Sequence, residues 1–412
     1  MIRLFGSPAR RTVAALLAGA ALAVPALAFA QPSSTGAQHQ TPPIVIRGLD
    51  QIVIEIKGQE IARQVVRELE QVARDPRTRQ AMDQVRDLVN DSVRGALTGL
   101  GPVLDRAARE APGGADVQDR NYRSELTDRE TRTLALGANG SLELKNIAGD
   151  ITVSAGTGRD AVVEILRRSR ARTDADAKLG LDRVKVQVDQ RADRAIVSAE
   201  YPNGQQPFSV SVSYTVTVPP GTRLNVNSIS GNTVIRNVKG EVGVQVTSGS
   251  VTLSGARQVS HVNTISGDIT VSDFDGDGTV VTGAISGNIS LERVKARRIE
   301  VDVTSGDIKA HDVSCDGAVL KSLSGLVEYA GALAKSGRYE LQTFSGSVRF
   351  VPMGNTGFDL HATTFSGDIT VDRGIDLKSV QNSRRSLRGT FGDGGASVIA
   401  TAFSGDVAVV KR

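Results

Sequence analysis

The dipeptide Ser-Gly occurs eleven times in this chain, and nine of the copies fall in register. Their glycines are Gly231, Gly249, Gly267, Gly287, Gly306, Gly325, Gly346, Gly367 and Gly405, separated by 18, 18, 20, 19, 19, 21, 21 and 38 residues. The last step reads as two turns of the repeat with one degenerate copy. Two residues after the glycine comes a buried-type side chain (Val251, Ile269, Ile289, Ile308), and four after it another (Leu253, Val271, Leu291, Ala310). The residue between is usually polar, so the segment alternates with period two, as a strand with one buried face does. Apolar residues five and seven positions before the glycine, such as Val244 with Val242 and Leu341 with Tyr339, mark a second strand. Two strands in ~19 residues cannot bury their apolar face alone, and neighbouring repeats must stack. The pattern predicts a mainly β chain. Residues 229–412 are expected to form a single-stranded parallel β-helix, or solenoid, of about ten ~19-residue rungs, roughly 48 Å long at ~4.8 Å per rung.

Each turn glycine marks a corner where φ > 0 or close backbone approach excludes a Cβ. The Ser before it and the Asp or Asn after it are placed to bond local backbone groups. Just before the Ser stand Ile229, Ile265, Ile285, Leu323, Phe344, Phe365 and Phe403, a column that turns aromatic toward the C-terminus and reads as packing. Residues 131–228 carry longer strand patterns, one short helix near Thr173–Leu181 and an early copy of the motif at Asn146–Val153. This region is expected to form a β cap that covers the open N-terminal end of the stack.

The beginning of the chain is of another kind. Arg3, Arg10 and Arg11 precede an apolar run that closes on Ala28-Phe29-Ala30, which reads as a signal peptide over 1–30. Pro25 and the shortness of the run argue against an uncleaved anchor, and no later stretch approaches membrane-spanning length. Residues 31–57 read as a linker. From 58 to 110 the period becomes helical, with Ile61, Val65, Leu69 and Val72, then Met82, Val85, Val89, Val93, Ala96 and Leu100. Such a stripe must bury against something: the C-terminal body, a second copy, or a membrane surface. The charge on the other face is balanced in sign, which disfavours anionic lipid. Residues 111–130 read as a second linker.

Composition removes whole classes of function. Lys and Arg number 49 against 45 Asp and Glu, and three of the positives lie in the leader, so the mature balance is close to neutral. Nucleic acid is not expected as a partner. One Cys excludes a disulfide framework and a Cys-built zinc site. There is no Trp, aromatics are 4% of the chain, and no Gly-x-Ser-x-Gly, His-Glu-x-x-His or P-loop occurs. Polysaccharide cleavage on a β-helix needs paired carboxylates and usually a stacking surface, and the second is hard to build here. His261, His311 and His361 are scattered, and Cys315 has no evident basic activator. No catalytic residue and no cofactor is expected.

Three features in order carry a resemblance: Ser141–Val153 (SLELKNIAGDITV), Val218–Leu224 (VPPGTRL), and the Ser-Gly-Asp-Ile-Thr-Val rungs. Over about 131–412 the chain resembles the bacterial "putative adhesin" family, a β-solenoid domain of unknown function. The resemblance implies an exported or envelope location and brings no catalytic residues with it.

Two further sites are weighed. Asp273, Asp275 and Asp277 imitate the start of an EF-hand loop, but the twelfth position falls on Ala284 where a Glu is needed. They stand as a weak surface Ca²⁺ candidate against an ordinary Asp/Gly turn. The position after the glycine alternates Asp with Asn where neighbouring rungs can be identified (Asp268, Asn288, Asp307), which dilutes charge along the stack. The connection 374–395 interrupts the repeat and carries Arg384, Arg385 and Arg388, either a solvated loop or an anion site. The last strand, near Val407–Val410, is expected to form an uncovered end, with 374–395 alone able to fold over it. Self-association through that end or through 58–110 follows. The function expected is an exported, non-enzymatic binding or adhesion module of the envelope, with an envelope protein or glycan as partner. The alternatives are a self-assembling scaffold and, in third place, a glycan-active enzyme.

Overall fold

The computed structural model describes residues 122–411. The segments read as signal peptide, first linker, amphipathic helices and most of the second linker lie outside the described residues. After them come β1 (Ser124–Leu134), β2 (Ser141–Ala148), β3 (Ile151–Ala155), β4 (Ala161–Ala171), a helix α1 (Asp174–Arg183), β5 (Lys185–Arg191), β6 (Arg194–Glu200) and β7 (Phe208–Val218). The repeats follow as β8 (Arg223–Ser230), β9 (Thr233–Arg236), β10 (Glu241–Ser248), β11 (Val251–Ser254), β12 (Gln258–Ser266), β13 (Ile269–Asp275) and β14 (Thr279–Ser286). Three long strands, β15 (Ile289–Ser305), β16 (Ile308–Ser324) and β17 (Val327–Ser345), each run from one Ser-Gly corner to the next. The chain closes with β18 (Val348–Met353), β19 (Phe358–Ser366), β20 (Ile369–Val371), β21 (Leu377–Ser383), β22 (Ser386–Phe391), β23 (Ala396–Ser404) and β24 (Val407–Val409).

Two parallel ladders meet at the glycine corner. Strands before it stack in the order β6, β2, β8, β10, β12, β14, then the second halves of β15, β16 and β17. Strands after it stack as β7, β3, β9, β11, β13, the first halves of β15, β16 and β17, then β18. The alternation read from the sequence holds: Val242, Val244 and Val246 are buried, as are Ile289, Leu291, Ile308 and Val327. From β17 to β19 the core is aromatic, with Tyr329, Tyr339, Phe350 and Phe358 fully buried and neighbouring rings 5.3 to 6.0 Å apart.

The corner itself is a backbone-to-backbone contact. A Cβ on Gly306, where φ is +145°, would lie 2.1 Å from the carbonyl oxygen of Gly287 on the neighbouring rung. At Gly367 φ is not in the positive region, and close approach alone excludes a side chain: the Gly405 carbonyl oxygen would stand 2.2 Å from its Cβ. On three of the C-terminal rungs a hydroxyl three residues before the glycine donates to the equivalent carbonyl of the neighbouring rung: Ser322 to Gly306 at 3.0 Å, Thr343 to Gly325 at 2.9 Å and Thr364 to Gly405 at 2.8 Å.

Thr364 and Gly405 are neighbours because the stack does not follow chain order at its C-terminal end. β23 lies between β17 and β19, and β24 lies between β18 and β20. The expectation of an open end at Val407–Val410 is therefore corrected: the last strand is interior. The 38-residue step holds no degenerate rung either. Residues 374–395 supply the hairpin β21–β22, and β22 runs antiparallel on β19. The repeat spacing could not reveal this, because every rung presents the same Ser-Gly-x-β edge and any rung fits against any other.

The N-terminal end is also shuffled. The rung of β2 and β3, with Gly149 at φ +119° in its corner, lies between the β6–β7 pair and β8–β9. Beyond β7 come β4 and then β1, both antiparallel, and β5 lies antiparallel outside β6. Thr173 caps α1 by accepting the Asp176 N–H, and Ala177 and Gly180 are the helix's buried residues. Residues 131–228 thus contribute a rung of the stack as well as the strands beyond it.

Candidate functional site

The sequence suggested that the residues after the turn glycines bond local backbone groups, and the structure corrects this. Six Asp and Asn side chains there reach along the stack to the same position on the neighbouring rung. Asp150 Oδ1 accepts the Asn232 N–H at 2.9 Å, Asn232 Oδ1 the Ser250 N–H at 3.1 Å, and Asp268 Oδ1 the Asn288 N–H at 2.7 Å. Asn288 Oδ1 accepts from Asp307, and Asp307 Oδ1 from Leu326, both at 2.9 Å. Asp and Asn serve equally, because only an acceptor oxygen is required. The dilution of charge is not complete, since Asp406 and Asp368 are adjacent through the intercalated rung.

The Ca²⁺ candidate sits at the second corner. Asp273 has φ +53° and belongs to a column of left-handed residues six positions after the turn glycine, with Asn237 (+59°), Gly255 (+66°), Arg293 (+53°) and Asp312 (+52°). Asn, Gly and Asp tolerate that conformation best, and their recurrence six after the glycine is the signal the sequence reading passed over. Arg293 grips Asp273 with both arms, Nε to Oδ1 at 2.7 Å and Nη2 to Oδ2 at 3.1 Å, and holds its carboxyl below the usual range. Lys295 Nζ stands 3.8 Å from Asp275. Two of the three carboxylates thus face resident cations. Among the described residues no group of three or more His, Cys, Asp or Glu is placed to hold a metal.

Cys315 is buried against Tyr329, its Sγ 3.7 Å from the hydroxyl, and burial pushes the thiol up to about 11. It is a packing residue in this environment, since a nucleophile needs the thiolate. His261 is half-buried beside Gln245 at 3.3 Å, and desolvation lowers its pKa. His361 lies opposite Arg388 on β22 and is lowered by desolvation and then by that positive charge.

The three arginines belong to the β21–β22 hairpin rather than to a loop. Arg384 and Arg385 form its turn, between Ser383 and Ser386. The Arg385 guanidinium lies over the ring of Phe365 at 4.9 Å. It closes a stack in the order Phe344, Phe403, Phe365, with centroids 4.6 and 4.7 Å apart. This aromatic column is packing, as expected, because its ring faces are spent on one another. Arg385 therefore stands apart from Arg388 in role, and the trio is not gathered around one point by any contact seen.

What the hairpin does create is a groove of about 450 Å³ at the end of the stack, where β20 faces β21 and β22. Ile369, Val371, Ile375, Leu377, Val380 and Leu387 line it, with Asp372, Arg373 and Asp376 among its polar residues. Val380 is 49% exposed, a large hydrophobic side chain left open to solvent. The sequence reading noted only the basic residues of 374–395. The apolar ones interleaved with them, Ile375, Leu377, Val380 and Leu387, carried the signal.

A model of the Toastrack family, DUF4097, matches residues 139–410. The chain belongs to the Toastrack DUF4097 family. No curated protein matches it. Crystal structures similar to this Toastrack chain include two described as "putative adhesin", each 10% identical over 69% of this chain and 97% of the other. The one from Bacteroides fragilis superposes with a TM-score of 0.37 and the one from Parabacteroides distasonis with 0.40. A "putative cell adhesion protein" from Clostridium sporogenes is 9% identical over 70% of this chain and all of its own, with a TM-score of 0.20. Among the described residues of the Toastrack chain no helix is long and apolar enough to cross a membrane.

Proposed function

We propose that this Toastrack protein is an exported, non-enzymatic binding or adhesion module of the bacterial cell envelope, at the cell surface or in the periplasm. The observation that carries the reading is the chemistry of the open groove. Six of its ten lining residues are aliphatic, whereas Asp268, Asp273, Asp275 and Asp307 elsewhere are engaged with arginine, lysine or backbone N–H groups. A groove of that kind holds a partner by burial and shape rather than by reaction. The signal-type leader at 1–30 and the adhesin wording attached to the similar structures support export and adhesion. The partner is an envelope protein or glycan.

The test is a screen of the mature chain against cell-wall fragments, exopolysaccharide and purified envelope proteins, read for both binding and product release. Saturable binding without turnover is the expected result. Turnover of any fragment, or retention of the chain in the cytoplasm on fractionation, overturns the proposal.

A further inference from the structure

The final rung of the chain is seated by residues that are not its neighbours in sequence. β23 and β24 fill a slot whose walls are β17 with β18 on one side and β19 with β20 on the other. Gly346 donates to Ser404 O at 3.0 Å and Val348 to Asp406 O at 2.9 Å, while Gly405 donates to Ser366 O and Val407 to Asp368 O, both at 2.9 Å. Val398, Ala400, Val407 and Val409 are buried, and Phe403 stacks between Phe344 and Phe365. Both walls are complete before residue 396, and every wall residue just named as a bond or ring partner lies between Phe344 and Asp368.

The tether is short and crowded. Only Gly392-Asp393-Gly394-Gly395 joins this rung to the hairpin, and β22 and β23 lie on opposite sides of β19. Phe391 and Ala396 both stand opposite Phe358, two strand spacings apart at ~9.6 Å, so the link passes around the start of β19. It runs against Gly357, where a Cβ would meet Gly394 N and O at 2.7 Å and Asp393 N at 2.8 Å. Three of its four residues hold positive φ, Gly392 at +63°, Gly394 at +71° and Gly395 at +116°. A short link bent that sharply invites a terminal element to seat in a neighbouring copy instead of its own.

We propose that two copies of this chain exchange their final rungs, β23 and β24 of each seating between β17–β18 and β19–β20 of the other. A second copy is the occupant because the slot is filled by this very segment, with its ladder bonds, buried side chains and ring contacts in place. Exchange keeps all of those contacts and lets the link straighten. What it costs is the freedom of two separate chains, so concentration during folding decides between closed monomer and exchanged dimer. Each slot is incomplete without the other copy's segment, and reciprocal exchange closes the assembly at two chains.

Mature Gln342→Cys and Thr401→Cys chains, mixed in equal amounts, unfolded in urea and refolded together before oxidation, test this. The two positions are in register on adjacent strands, and Cys315 is buried. Refolding at millimolar concentration should give a disulfide between the two different chains and a two-chain mass, whereas refolding at micromolar concentration should give monomers. Gln342→Cys mixed with Thr363→Cys should form no such bridge, because exchange moves neither position from its own copy. Deleting Asp393 and Gly394 leaves three Cα steps, about 11 Å at full stretch, too short to pass around β19. That variant should shift the balance about tenfold toward the dimer, and four residues inserted after Asp393 should shift it toward the monomer. Absence of the 342–401 bridge between chains at millimolar concentration overturns the proposal. So does an equal yield with Thr363→Cys, or a dimer share that neither link variant changes. None of these outcomes bears on whether the chain binds an envelope ligand, so the two proposals fail separately.

Discussion

Asp406 accepts the backbone N–H of Asp368 at 2.9 Å, although 37 residues of chain lie between them and Asp368 comes first. The final segment of the chain is therefore the middle of three stacked rungs. It was laid down last in sequence and is held on both sides. In a solenoid stacked in chain order, stability is close to a sum of nearest-neighbour terms, and losing the last rung costs only that rung. Here its loss also strips β19, β20 and the hairpin from the body.

Removing residues 396–412 is thus expected to abolish the cooperative unfolding of the C-terminal rungs, not to trim one unit from it. Urea unfolding followed by circular dichroism checks this. A truncated chain with a transition close to the parent's would mean that the terminal rung is dispensable.

Gly306→Val should cost a few kcal/mol, because the new Cβ meets the Gly287 carbonyl oxygen at 2.1 Å and the atoms nearest it are all backbone, which cannot swing aside as a side chain can. The same substitution at Gly354, where an added Cβ meets nothing within 4 Å, should lose less. Melting temperatures of the two variants make the comparison, and equal losses would show that crowding at the corner is not the cause.

Asn288→Asp preserves both hydrogen bonds of its rung, since an acceptor oxygen remains for the Asp307 N–H and the backbone donor to Asp268 is unchanged. It adds a carboxylate between two others at ~4.8 Å spacing. The expected loss is about 1 kcal/mol in low salt at pH 7, recovered in 1 M salt and at acid pH where the new group is protonated. Denaturation midpoints under the three conditions check it. A loss that salt does not reduce would point to geometry instead of charge.

His261 is held neutral by desolvation, with a folded-state pKa below the ordinary 6.5. Its unfolded form therefore takes up a proton first as the pH falls. The stability this residue contributes is complete above about pH 6.5 and declines below it, toward the folded pKa. His261→Gln should lose less stability than the parent between pH 7 and pH 5, by an amount that unfolding curves at both pH values resolve. Identical pH dependence in both proteins would place the residue in water.

Much of this architecture was legible because the repeat states it outright: strand positions, buried faces and turn glycines follow from periods of two and about nineteen. The short helix expected near Thr173–Leu181 is present as α1, with Thr173 as its cap. Stacking order was not legible. Thr363, Thr401 and Gln342 occupy equivalent positions on three rungs, and nothing in their sequence context says which two are neighbours. The groove was missed for a related reason. Ile375, Leu377 and Val380 have no period of their own, and they become a surface only when the hairpin stands at the end of the stack.

Cysteine pairs on the outer face test that stacking order most directly. Gln342 and Thr401 are in register on adjacent strands, and so are Thr401 and Thr363, which leaves Gln342 and Thr363 two strands apart at ~9.6 Å. Oxidation of a Gln342→Cys, Thr401→Cys variant should give an intramolecular disulfide in the folded protein, whereas Gln342→Cys with Thr363→Cys should stay reduced, since Cα atoms beyond ~7 Å cannot be bridged. The reverse result, a bridge from 342 to 363 and none to 401, would contradict the intercalated rung and with it the groove at β20.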